Sequence, residues 1–184
     1  MILLYLLLAH LLADFVFQPN KLVTWKKKHW QGVFMHVFIH WVTSLLLLFP
    51  FLSKPQFPIV VTVIAISHFL IDSLKIRFEK GDKRYVKIFL ADQELHLIVI
   101  LLGAFVLEEF GGAETAKSQI PVYANVGMMI YWIFSVVVTF FYSILKFQFH
   151  RQKEQDTNME FDYVAMLIRF IAFSIFYFFL LSRV

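Results

Sequence analysis

Histidine and aspartate recur at a spacing of four in four apolar stretches of the chain: His10 and Asp14, His36 and His40, His68 and Asp72, Asp92 and His96. On a helix, residues i and i+4 share one face one turn apart, so each pair aims two side chains in the same direction. Five of the seven histidines and three of the six aspartates are used this way. Neutral imidazole and ionised carboxylate are ligands that suit zinc, manganese and iron, and pairs of this kind on facing helices are a common way to present them. The expectation is a divalent metal, zinc first, with manganese or iron as alternatives. Eight donors exceed the four of one tetrahedral zinc. The surplus fits two ions, or one ion with extra carboxylates that orient histidine and take up protons. Asp14, Asp72 and Asp92 are thus candidate proton acceptors as well as ligands.

Polar neighbours extend this set. Gln18 continues the stripe of His10 and Asp14, and Lys75 and Gln93 adjoin Asp72 and Asp92. They are candidates for orienting ligands or holding substrate, although Lys75 is equally suited to pairing with Asp72 or reaching for the surface. Arg169 lies a few residues inside the last apolar stretch, where a guanidinium can grip a phosphate or carboxylate or neutralise surplus ligand charge. Ser135, Thr139, Tyr142 and Ser143 follow helical spacing and read as helix packing. His29 and His150 lie in connecting segments.

The elements that must carry these residues are set by composition. The chain has 184 residues, a formal charge of +4, 60% hydrophobic residues, 23 Phe and a mean hydropathy of +0.71. A water-soluble domain is nearer half apolar, so the expectation is an all-α, polytopic membrane bundle forming a single integral-membrane domain. Six apolar segments, at about 1–17, 33–52, 59–76, 90–110, 125–146 and 164–182, each approach the ~20 residues needed to cross hydrocarbon. The first lacks the basic start and small-residue cleavage site of a secretion signal and reads as a retained helix. Ten-residue alternating strands are missing, which argues against a barrel. With no Cys, disulfides, thiolate nucleophiles and Cys-type zinc sites are excluded.

Basic residues alternate between connections. Lys21, Lys26, Lys27 and Lys28 lie in the first, Arg77, Lys80, Lys83, Arg84 and Lys87 in or beside the third, and Lys146, Arg151 and Lys153 in or beside the fifth. The second and fourth carry only Lys54 and Lys117. The positive-inside rule places connections one, three and five in the cytoplasm and both termini outside. The basic connections are also suited to anionic headgroups. Because the chain reverses between helices, all four His/Asp pairs fall at one depth, roughly 3–12 Å from the cytoplasmic face at ~1.5 Å rise per residue. His10-Leu-Leu-Ala-Asp14 resembles His68-Phe-Leu-Ile-Asp72, a weak parallel repeat relating 1–52 to 59–110, with 125–182 as additional helices.

Two other readings compete with metal binding. Interhelical hydrogen-bonding glue suits one or two histidines but does not predict three carboxylates at one depth. A proton or ion pathway, as in a divalent-metal or proton-coupled transporter, requires polar residues continuing to the outer face, and the outer halves of the first three helices are almost wholly apolar. A membrane di-iron oxidase and a non-catalytic scaffold are further alternatives. There is no Gly-rich phosphate loop, G-x-S-x-G or H-E-x-x-H, so nucleotide hydrolysis, serine hydrolase and zincin chemistry are not indicated, and nothing points to nucleic acid.

The run His10-Leu-Leu-Ala-Asp14-Phe-Val-Phe-Gln18, the Lys-rich segment and His36, then His68, Asp72 and Lys75, and finally Asp92-Gln93-x-x-His96, resembles the bacterial membrane family known as domain of unknown function 3307 (DUF3307). The resemblance covers about the first 110 residues and carries no established activity. The pattern is loosely similar to membrane-bound metal-dependent hydrolases, which implies a reaction class. The functional expectation is a hydrolase in which a metal-activated water attacks a lipid or lipid-linked phosphate, ester or amide at the cytoplasmic face, with Arg169, Lys75, Gln18 and Gln93 near the substrate.

Overall fold

A computed structural model describes residues 1–79, 84–109, 125–154 and 161–181. Lys80, Lys83 and Lys117 of the expected connections lie outside the described residues. Among those described, the regular structure is helical and no strand occurs. In chain order the elements are α1 (Ile2–Leu11), extended by a π-helical turn (Leu12–Val16), α2 (Asn20–Lys28), α3 (Trp30–Leu47), α4 (Gln56–Glu79) and α5 (Tyr85–Glu109). Then come α6 (Val126–Val136), a second π-helical turn (Val137–Phe141), α7 (Tyr142–Glu154) and α8 (Tyr163–Leu181). Five helical spans are long and apolar enough to cross a membrane, or six if the bent pair Ile2–Val16 and Asn20–Lys28 is one span. This marks a multi-pass membrane protein, as only internally hydrogen-bonded segments are stable in hydrocarbon.

The first basic connection is not a loop. Pro19, extended at ψ 157°, opens α2, which turns 89° from α1. Leu22 and Lys26, four apart on one face, are both buried. The turn back onto α3 needs Gly32: a Cβ there would come within 2.5 Å of the Lys26 backbone nitrogen and 2.6 Å of the Trp25 carbonyl carbon. Elsewhere local signals start helices in the usual way. Asn125 accepts from the Met128 N–H at the head of α6, and Asp162 accepts from the Ala165 N–H at the head of α8.

Four helices, α1, α3, α4 and α5, form the core, and the bundle is divided along its length. At the end opposite the basic segments, eleven buried side chains, including Tyr5, Leu6, Phe51, Phe57, Ile100 and Leu107, make a continuous apolar plug. Towards the basic end this apolar packing gives way to the His/Asp pairs. A second apolar cluster, with Leu8, Leu11, Phe15, Phe89, Ile133 and Val136, seats α6 against α1 and α5. Helix α8 is peripheral, with Met166 buried and one face half-buried, held through a Tyr131–Ser174 hydroxyl contact at 2.9 Å and a Tyr177 hydroxyl that donates to the Gly127 carbonyl.

Candidate metal centre

All eight residues of the four pairs are buried, none more than 8% exposed, and the four helices bring them together. His68 is the hub. Its ring stacks on His96 at 4.0 Å and on His40 at 4.5 Å between centroids, and lies 5.1 Å from that of His36. Three groups have donor atoms within 4.8 Å of one another: His10, His40 and His68; Asp14, His36 and His68; and His68, Asp72 and His96.

The second group has the tightest geometry. Oδ1 of Asp14 is 3.3 Å from Nε2 of His36 and 3.4 Å from Nε2 of His68, and the two imidazole nitrogens are 3.0 Å apart. Tetrahedral coordination with bonds of ~2.0–2.1 Å separates neighbouring donors by about 3.3–3.4 Å. The triangle therefore approximates one face of such a polyhedron. Nδ1 of His10, 3.7 Å from the same Asp14 oxygen, is a candidate for the fourth vertex. Asp14 reaches this position from the π-helical turn Leu12–Val16, whose extra residue per turn alters the register of the face that follows it.

The three carboxylates are not equivalent. Lys26 donates to Oδ2 of Asp72 at 3.0 Å, and Lys75 donates to Oδ2 of Asp92 at 2.6 Å. Gln93 also donates to Asp92, at 2.9 Å, and His96 Nε2 lies 3.4 Å from its other oxygen. Asp14 instead lies among imidazoles. Lys26, seen in the sequence as a topology signal, is thus a buried partner of the cluster. The i, i+4 relation of Leu22 and Lys26 was the signal that could have exposed it.

Six buried side-chain atoms of the cluster lack a hydrogen-bond partner: Nδ1 of His10, Oδ1 of Asp14, both ring nitrogens of His40, Oδ1 of Asp92 and Nε2 of His96. An unsatisfied buried polar group costs roughly 1–3 kcal/mol. Several together in one place favour a bound species that satisfies them. The donor chemistry, imidazole and carboxylate, fits a divalent cation.

The remaining expected site residues divide. The side-chain amide nitrogen of Gln18 lies 2.8 Å from Nδ1 and 3.1 Å from Nε2 of His36, so it flanks the ring edge that both nitrogens share. Lys75 and Gln93 engage Asp92. Arg169 stands apart: it donates to the carbonyl of Val138 at 3.2 Å and to the hydroxyl of Ser143 at 2.7 Å, with its guanidinium 4.9 Å from the Tyr142 ring centroid. These contacts dock α8 on the second π-helical turn, and none of them is to a member of the cluster.

A cavity of about 390 Å³ adjoins the cluster at the basic end. Asp14 and Gln18 border it on one side, Lys26, Lys27 and Lys75 supply cations, and Phe89, Phe147 and Phe161 give it an apolar wall. Helix α7 closes this wall, fastened by Arg151 to Glu79 at 3.2 Å and by the Val86 N–H donating to Gln152. On the lipid-facing side, a groove between α4 and α5 also reaches Lys75 and Asp92.

The model of the family described as Protein of unknown function (DUF3307) matches residues 2–119. The chain belongs to this family. No curated protein and no solved structure matches it. The matched segment contains all eight pair residues together with Gln18, Lys26, Lys75 and Gln93, so the whole cluster lies within the family's region. Arg169 and the α7 wall of the cavity lie beyond it.

Proposed function

We propose that the protein is a membrane-embedded, metal-dependent hydrolase that holds one divalent cation, zinc by preference, between Asp14, His36 and His68. The observation that carries this reading is the Asp14–His36–His68 triangle, whose edges of 3.3, 3.4 and 3.0 Å match the spacing of donors on a tetrahedral ion. Hydrogen-bonding glue accounts for a His36–His68 contact but leaves the buried Oδ1 of Asp14, 3.3 and 3.4 Å from the two rings, without a hydrogen bond. Asp72 and Asp92, already neutralised by lysines, serve to orient and to accept protons rather than to ligate. Gln18, in contact with both ring nitrogens of His36, steadies that ring, the kind of support that sets ligand orientation.

A divalent cation in such a site lowers the pKa of a coordinated water toward ~7. Asp72, 4.0 Å from Nε2 of His68 and bonded to Lys26, is placed to receive the proton and pass it toward the cavity. Substrate would reach the site from the cavity at the basic end, the end that the excess of lysine and arginine favours as cytoplasmic; the family resemblance points to a bacterial inner membrane. The apolar plug at the opposite end favours hydrolysis at one face over transport through the bundle.

The test is elemental analysis of protein purified without added metal, alongside His68→Ala, Asp14→Ala and Asp92→Ala. The expected result is close to one divalent ion per chain in wild type and Asp92→Ala, and loss of it in the other two. Equal metal in all four proteins, or none in wild type, would remove the basis for the proposal. Metal-dependent turnover of lipid-linked phosphate, ester or amide by wild type but not by His68→Ala then tests the reaction class.

A further inference from the structure

Resting on that reading, we infer that the cavity beside the metal triangle recognises a phosphate dianion, and that the substrate is a phosphomonoester rather than a neutral ester or amide. The argument is one of charge at the inner end of the cavity, where Asp14, Lys26, Asp72 and Asp92 are buried. Four carboxylates border or adjoin the cavity: Asp14, Asp72, Asp92 and Glu79. Four cations match them: Lys26 on Asp72 at 3.0 Å, Lys75 on Asp92 at 2.6 Å, and Lys27 and Arg151 on Glu79 at 3.5 and 3.2 Å. With neutral histidines the protein groups are formally balanced. One divalent cation leaves an excess of two positive charges, and uncompensated charge is costly when buried. A dianion restores neutrality, whereas a carboxylate monoanion corrects half of the excess and a neutral ester none.

The donors present also suit phosphate oxygens. An ammonium group has three N–H donors, and the single bonds from Lys26 to Asp72 and from Lys75 to Asp92 leave donors on each for a ligand in the cavity. The amide groups of Gln18 and Gln93 border the same space. At about 390 Å³ the cavity falls within the ordinary range of small-molecule sites and accepts a phosphate with a short alcohol attached. Its aromatic wall, and the lipid-facing groove that meets it at Lys75, accommodate an apolar remainder. The phosphate could thus belong to a lipid or to a soluble ester, and binding experiments separate the two.

The experiment is titration calorimetry on the detergent-solubilised full chain, loaded with zinc and freed of excess metal. The probes are glycerol 1-phosphate, its neutral counterpart glycerol 1-acetate, and dihexanoyl phosphatidic acid. The expected result is binding of both phosphates at least ten-fold tighter than the acetate, lost when the metal is stripped and weakened at least five-fold in Lys27→Met, which retains its zinc. Tighter binding of the phosphatidic acid than of glycerol 1-phosphate identifies a membrane source, and the reverse a soluble one; either supports the inference. Protein that holds one zinc but binds the acetate as well as the phosphates overturns it while leaving the metal centre intact. Protein that takes up no zinc defeats the underlying reading instead.

Discussion

A carboxylate's role in this cluster is decided by the cation it faces. Asp72 and Asp92 each face a lysine, and Asp14 faces three imidazoles. Asp14→Asn is therefore expected to lower zinc affinity by at least a hundred-fold, and Asp92→Asn by less than ten-fold, as read by competition with a chromophoric chelator. Gln18→Leu removes the amide that contacts both ring nitrogens of His36 and should cost about 10–100-fold in affinity without abolishing binding. The eight donors were legible in the sequence because spacing of four in an apolar background leaves few alternatives. Which aspartate the proposed ion would take was not. Lys26 lies 46 residues before Asp72, and their pairing depends on the fold of α2 rather than on any local pattern.

At the scale of elements, hydropathy located the spans but not their interruptions. A π-helical turn keeps the same composition as the helix around it, so neither Leu12–Val16 nor Val137–Phe141 carried a sequence signal, although the first aims Asp14 and the second receives Arg169. Arg169→Met should leave zinc content unchanged and destabilise the protein by about 1–3 kcal/mol, because buried carbonyls and the Ser143 hydroxyl lose their donor. Thermal unfolding in detergent, with metal measured on the same sample, separates this from a substrate-binding role, in which stability would hold and turnover fall. Helix α2 was hidden for another reason: three consecutive lysines dominate its average polarity. Gly32→Ala drives a methyl group into the α2 backbone, where no side chain can rotate away, and is expected to cost at least about 1–3 kcal/mol and to loosen Lys26 from Asp72. Gly103→Ala meets the tip of Ile64, a flexible side chain, and should be milder.

For the molecule as a whole, the sequence led to an all-helical membrane bundle, and the structure adds how its two ends differ. Zinc that binds only the folded state stabilises it by about 2.7 kcal/mol at a free concentration one hundred times Kd. Chelation is therefore expected to lower the Tm of wild type and to leave His68→Ala unmoved. The parts contributed by α6, α7 and α8 could not be inferred beforehand, since their polar groups pair within these helices or with Glu79 and Val86 at the cavity rim without joining the cluster. The eleven-residue apolar plug has a kinetic corollary. It would seal one compartment off from an ion held at the proposed site, so that exchange would proceed through a single face of the bilayer. In sealed vesicles of opposite orientation, a membrane-impermeant chelator should strip the protein in one preparation and spare it in the other, and the compartment that supplies the ion will govern which element the protein carries in a living cell.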